Sequence, residues 1–238
     1  MQRAKQISES IELGAILALC GGFMDVYSYV GRGGVFANAQ TGNILLVGVH
    51  LSEGNFEQSL HYLFPVIAFA VGIMLADFIH ERFSSLFHWR QVTVFLEAAI
   101  LFGVSFMGAD LNLLANCLTS FACGMQVESF RKIHGKGFAT TMCIGNLRNA
   151  LQNVDDYIIT HNRGFLENGA LYFGVILTFV CGAVIGNWCI ERWGLHAIAI
   201  ASALFLCAFF LMFIDRERAA LRARWKSACD EWVRACRK

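Results

Sequence analysis

Apolar residues gather into six runs of roughly membrane-crossing length: 11–30, 62–81, 91–108, 112–130, 168–188 and 195–214. A helix needs about 20 mostly apolar residues to cross a bilayer core, so each run predicts a transmembrane helix. Two further stretches are apolar only in part. Val35–Leu51 carries Asn38, Gln40, Thr41 and Asn43, and Phe138–Leu151 carries Thr140, Thr141, Asn146 and Arg148. Neither makes a comfortable lipid-facing span, because hydrocarbon offers polar groups no partners.

The interrupted pattern occurs twice. A shift from Asn43 to Asn146 carries Cys20–Asn43 onto Cys123–Asn146 without a gap. Cys20 and Gly21 meet Cys123 and Gly124, Asp25 meets Glu128, Gly34 meets Gly137, and Gly42 and Asn43 meet Gly145 and Asn146. Further on, Phe69, Gly72, Glu81 and Arg82 meet Phe179, Gly182, Glu191 and Arg192. Gly72-x3-Ala76 and Gly182-x3-Gly186 are small-xxx-small patterns that let helix backbones approach closely. The chain therefore divides into two three-span units, 1–109 and 110–214, and a tail, 215–238. An odd number of spans turns the second unit upside down relative to the first. The expected fold is an all-α integral membrane protein with six transmembrane helices. They form two inverted three-span repeats, each with a Gly-broken re-entrant half-helix, a recurrent transporter construction.

Charge supports that count. Apolar residues make up 56% of the 238 positions and charged residues only 16%, against about 25% charged in an average soluble domain. With six spans and both termini in the cytoplasm, all but Arg32 and Arg192 of the 19 lysines and arginines lie on the cytoplasmic side. If the two polar stretches also crossed, Arg32, Arg82, Arg90, Arg131, Lys132, Lys136 and Arg192 would all lie outside. The positive-inside bias therefore favours six crossings. Run 11–30 is read as a retained span rather than a cleaved signal peptide. Asn153–Glu167 is expected as a polar cytoplasmic loop. In the tail, Leu221, Trp225, Ala228, Cys229, Trp232 and Cys236 share one helical face. That predicts a basic amphipathic helix suited to membrane lipids, the alternatives being a solvated helix or one packed on another subunit; it is too mixed in charge and too short for nucleic acid.

The candidate chemistry is polar and central. Gly33 and Gly34 would break the first helix, with Gly42, Gly137 and Gly145 as further break positions. A short helix starting near Phe36 would aim its amides inward, where they favour negative charge. Asn38, Gln40, Thr41 and Asn43, with Gln126, Thr140, Thr141 and Asn146, are the candidate substrate-binding residues of a small cavity on a pseudo-two-fold axis. The bland alternative is that they satisfy broken backbone. Asp25 and Glu128 are the candidate coupling or ion-binding acids; equally, they pair with Arg32, Arg131 or Lys132 as structural ties. Asp77 is read as structural, and Glu97 has no acidic counterpart in the second unit. The nine cysteines and seven histidines show no metal-ligand spacing, so neither metal nor cofactor is expected. No nucleotide-binding glycine loop, nucleophile elbow or intramembrane protease pattern is present, so no enzyme activity is expected.

Gly21-Gly22-Phe23-Met24-Asp25, then Gly33-Gly34-Val35-Phe36, then Thr41-Gly42-Asn43 resembles the YoaK-like bacterial membrane proteins. The second half, with Gly124-Met125-Gln126 and Ile144-Gly145-Asn146, is similar; Ile144 stands where that family more often has threonine. The resemblance implies a multi-pass protein of the bacterial inner membrane with about six spans and no established substrate. The first functional expectation is a permease for a small polar solute or ion, preferably an anion or zwitterion. The alternatives are a passive channel, assembled as a homo-oligomer, and a non-transporting membrane sensor or interaction partner.

Overall fold

A computed structural model describes residues 11–83, 89–133, 136–137, 141 and 143–212. The tail 215–238 and Thr140 lie outside the described residues. The described residues are mostly helical, with short turns and irregular segments between helices and one two-residue antiparallel pairing, β1 (Lys132–Ile133) with β2 (Lys136–Gly137). The helices are α1 (Ile11–Val26), α2 (Gln40–Ser52), α3 (Phe56–Phe83), α4 (Trp89–Val104), α5 (Asn112–Ser129), α6 (Cys143–Thr160) and α7 (Arg163–Trp193). A 3-10 turn, Gly194–Ala197, leads into α8 (198–212).

Among the described residues, three helical stretches are long and apolar enough to cross a membrane: Ile11–Gly31, Phe56–Arg82 and Arg163–Met212, the last including α7 and α8. Their outer faces carry large exposed apolar residues such as Met74, Phe78, Leu177 and Val184, as a lipid solvent requires. With 13 residues, α2 rises only about 20 Å at 1.5 Å per residue, short of a bilayer core of about 30 Å.

Glycines set the main helix crossings. A methyl group on Gly72 of α3 would collide with the Phe121 carbonyl of α5, and one on Gly124 of α5 would collide with the Phe69 carbonyl of α3. The same reciprocal contact recurs between α1 and α7, where Gly22 abuts the Phe179 carbonyl and Gly182 the Leu19 carbonyl. Each crossing thus joins a helix from one half of the sequence to a helix from the other. In both, backbones touch where side chains would hold them apart. Helix α4 packs on α5, and α8 reaches α4 through Ser202 Oγ, which donates to the Ala98 carbonyl at 2.7 Å.

The expected loop Asn153–Glu167 is mostly helix. α6 continues through Thr160, and α7 starts at Arg163 after the two residues His161 and Asn162. The Asn162 side chain caps α7 by accepting from Gly164 N at 3.0 Å. The polar sequence did not forbid a helix, because α6 needs only one buried stripe. Its Ala150 packs with Tyr172 and Val175 of α7, which is enough for an amphipathic helix.

Candidate functional site

The first broken segment begins where α1 widens into a π turn, Tyr27–Gly31. Gly33 and Gly34 follow with φ of +87° and +81°, a left-handed backbone that residues with a Cβ rarely adopt. The helix break expected at these two glycines is therefore real. Gly42 and Gly145 are different, since they lie in the first turns of α2 and α6 and break nothing. A Cβ on Gly42 would stand 2.8 Å from the Phe36 ring, whereas Gly145 faces open space. Gly137 sits in the strand pairing opposite Lys132.

The chain from Val35 to Ala39 has no regular structure and buries Val35, Ala37 and Asn38, so its backbone groups must find partners. Asp25 supplies one, since its carboxylate accepts from Asn38 N at 2.7 Å and from the amides of Ala37 and Ala39. Asn43 supplies two more. Its Oδ1 accepts from Phe36 N at 3.0 Å and its Nδ2 donates to Phe36 O at 2.7 Å. The Asn43 amide group also donates to Gln40 Oε1 at 2.8 Å. Gln40 Nε2 donates to the Ala37 carbonyl at 2.7 Å and reaches Ser120 Oγ of α5 at 3.5 Å. Asp25, Gln40 and Asn43 therefore complete the broken backbone of their own segment. The N-terminal amides expected to attract an anion are already held by Asp25.

Asn38 is only partly satisfied. Its Nδ2 donates to the Gly21 carbonyl at 3.1 Å, while its buried Oδ1 has no partner among the described residues. Its counterpart after the same shift along the chain is Thr141, whose buried Oγ1 is likewise unpartnered. Gln126 is buried and donates from Nε2 to the Leu17 carbonyl at 3.0 Å, and Asn146 is buried in α6. Thr41 is exposed on the outer face of α2, as Ile144 is on α6. The difference between that threonine and isoleucine therefore has no bearing on the interior. The two halves do approach here: Asp25 lies within electrostatic reach of Cys123 and Cys143.

Arg131 and Arg32, two of the three expected ion-pair partners, behave differently; the Lys132 side chain lies outside the described structure. Glu128 binds Arg131 at 2.7 Å, a structural tie of the kind anticipated. Asp25 does not bind Arg32. Arg32 is fully buried and directs its guanidinium at neutral acceptors: the carbonyls of Val104 at 3.2 Å, Met107 at 2.9 Å and Gly108 at 2.8 Å, and Asn112 Oδ1 at 3.1 Å. It also donates to Tyr27 Oη at 2.7 Å. The Arg32 carbonyl in turn accepts from Asn116 Nδ2 at 2.8 Å. A guanidinium presents five donors, and here they close the C-terminal end of α4 and tie it to α1 and α5. Arg32 is thus no outer-surface charge. Removing it from both topology tallies leaves their order unchanged.

The most isolated polar group is one that the duplicated pattern does not mark. Glu97, on α4, is fully buried and neither carboxyl oxygen has a partner among the described residues. Its signal in the sequence is an acid within an apolar run, without an acidic repeat mate to draw attention to it.

Long apolar helices whose outer faces expose large apolar side chains are the mark of an integral membrane protein, and in such a protein irregular backbone survives at membrane depth only inside protein or beside water. Residues 13–211 match a family described as a protein of unknown function, DUF1275, and the chain belongs to that family. It is 27% identical over 179 residues to the UPF0700 transmembrane protein YoaK of Bacillus subtilis (strain 168), covering 72% of this chain and 80% of the relative. No solved structure matches the chain.

Proposed function

We propose that the chain is a permease of the bacterial inner membrane for a small polar solute. It would cross six times, as two inverted three-span repeats with both termini in the cytoplasm. The carrying observation is the pair Asn38 and Thr141. They are repeat-related, both buried, and each keeps a side-chain oxygen without a partner among the described residues. Buried polar groups are normally hydrogen-bonded, so two such oxygens at matching positions suit a site that a ligand completes. The two glycine crossings, α3 with α5 and α1 with α7, support the repeat. The Asp25 carboxylate already occupies the amides before α2, so a neutral or cationic solute fits better than an anion.

The test is uptake into vesicles reconstituted with purified protein, over a panel of neutral, cationic and anionic solutes. Saturable flux that falls at least about tenfold in Asn38→Ala and Thr141→Ala, a loss of about 1.4 kcal/mol of binding, supports the permease. Unsaturable conductance indicates a channel, and folded protein without flux indicates a partner or sensor. Labelling of single cysteines beside Arg82 and Arg192 tests the inversion, which requires them on opposite sides.

A further inference from the structure

We propose that Glu97 is a proton-binding site inside the bundle, and that under the permease reading it is the coupling group. Three acids in or beside the interior are handled differently. Asp25 receives three backbone amides, and Glu128 is held by Arg131. Glu97 has neither. It lies on the core face of α4 beside Val94, Ala98 and Leu101, all buried in the central apolar cluster. Neither oxygen has a hydrogen-bond partner among the described residues.

An unpaired carboxylate in such surroundings is expensive enough that the group takes up a proton instead. Among the described residues, the packed elements supply no cation to hold it ionised. Helix α1 presents the buried Cys20 and α5 the buried Cys123 to this region, whereas Cys207 of α8 is exposed, and Asp25 acts on the same Cys123 thiol.

The ligand is a proton rather than a metal ion. Hard cations such as calcium or magnesium require about six oxygen ligands, and Glu97 offers the two oxygens of one carboxyl. A soft metal would need clustered thiolates. Among the described residues no group of three histidine, cysteine or acidic side chains could hold an ion. Nor does the Glu97 carboxyl serve the fold through a hydrogen bond to any described residue. An apolar residue of similar volume would fill the position at least as stably. Proton binding accounts for a carboxyl there.

The test uses the full chain in lipid vesicles. Dicyclohexylcarbodiimide enters membranes and modifies protonated carboxyl groups, and peptide mass spectrometry locates the adduct. The expected result is an adduct on Glu97 whose yield falls about tenfold per pH unit once pH exceeds the carboxyl pKa. Glu97→Gln should lose the adduct and keep its elution as a folded species. Glu97→Leu should retain or raise thermal stability. A Glu97 that never labels, or labels equally at every pH, overturns the proposal. So does solute flux that is pH-independent and unchanged in Glu97→Gln, an outcome that leaves the permease reading intact. Titratable labelling of Glu97 without solute flux on any panel member keeps the proton site and removes the permease.

Discussion

The two copies of the duplicated segment have similar sequences and different structures. In the first, Asp25 turns inward and binds the amides that precede α2. In the second, Glu128 turns to Arg131, a residue largely in solvent. The first copy has Arg32, buried and bonded to the end of α4; the second has Gly135 at the matching position. Gly42 makes room for the Phe36 ring, while Gly145 faces open space. Helix α2 has 13 residues and α6 has 18. Most polar groups of the first copy bind its own backbone and its neighbours, Asn38 Oδ1 and Ser28 Oγ being left over among the described residues. Duplicated polarity therefore marks a shared way of breaking a helix. The atoms with capacity left for a ligand are the ones that this task does not use.

The comparison can be broken most forcefully at Arg32. Arg32→Ala removes the hydrogen bonds that tie α4 to α1 and α5 and leaves the Met107 carbonyl and Asn112 Oδ1 without their donors, while the Val104 and Gly108 carbonyls keep the Met107 and Leu111 amides; each unsatisfied group costs about 1–3 kcal/mol. The loss should reach at least about 3 kcal/mol and be visible as early loss of monodisperse protein on heating in detergent. A variant as stable as the parent would remove the claim that Arg32 anchors the first copy.

The glycine crossings come next. Gly22→Ala, Gly182→Ala, Gly72→Ala and Gly124→Ala each drive a methyl into a backbone carbonyl. Overpacking of this kind costs about 1–3 kcal/mol, and more where the neighbour cannot yield. Comparable losses at the two crossings would sharpen the symmetry; a loss at only one would break it. Gly145→Ala, facing open space, serves as the control and should be near neutral or slightly stabilising.

Smaller effects separate the acids. Asp25→Ala strips the acceptor from the amides of Ala37, Asn38 and Ala39, the first two buried, and should cost about 1–3 kcal/mol. Glu128→Gln should cost no more than about 1 kcal/mol, because its partner is solvent-exposed and such pairs contribute little. Equal losses in the same melting assay would mean that the two acids do the same work after all.

Much of the candidate site is legible in the amino-acid sequence. Two adjacent glycines beside a charged residue mark the break at Gly33 and Gly34. Asn38, Asn43, Gln126, Thr141 and Asn146 stand out as polar residues in apolar surroundings, and all are buried. Their separate roles are not legible. Asn43 brackets Phe36, a nearby residue, and so serves the backbone; Thr41 sits one helical step from the buried stripe and points outward. Asn116 escapes notice and Glu97 is noticed without being given a role, because the duplication highlights residues with polar repeat mates, and neither has one.

What the amino-acid sequence determined by itself is the membrane environment, a pattern of residues that occurs twice, the principal helices and the place where the first of them breaks. Those depend on apolar content, small-residue spacing and glycine, which act locally along the chain. The tertiary structure alone decided which polar groups are satisfied. The acceptors for Arg32 on other helices lie 72 to 80 positions away, and the isolation of Glu97 depends on α1, α5 and α8 meeting around α4. Hydrogen-bond satisfaction is a property of pairs brought together by packing. A residue type and its local spacing therefore cannot reveal whether a buried charge will be bound, as Arg32 is, or left without a partner, as Glu97 is among the described residues.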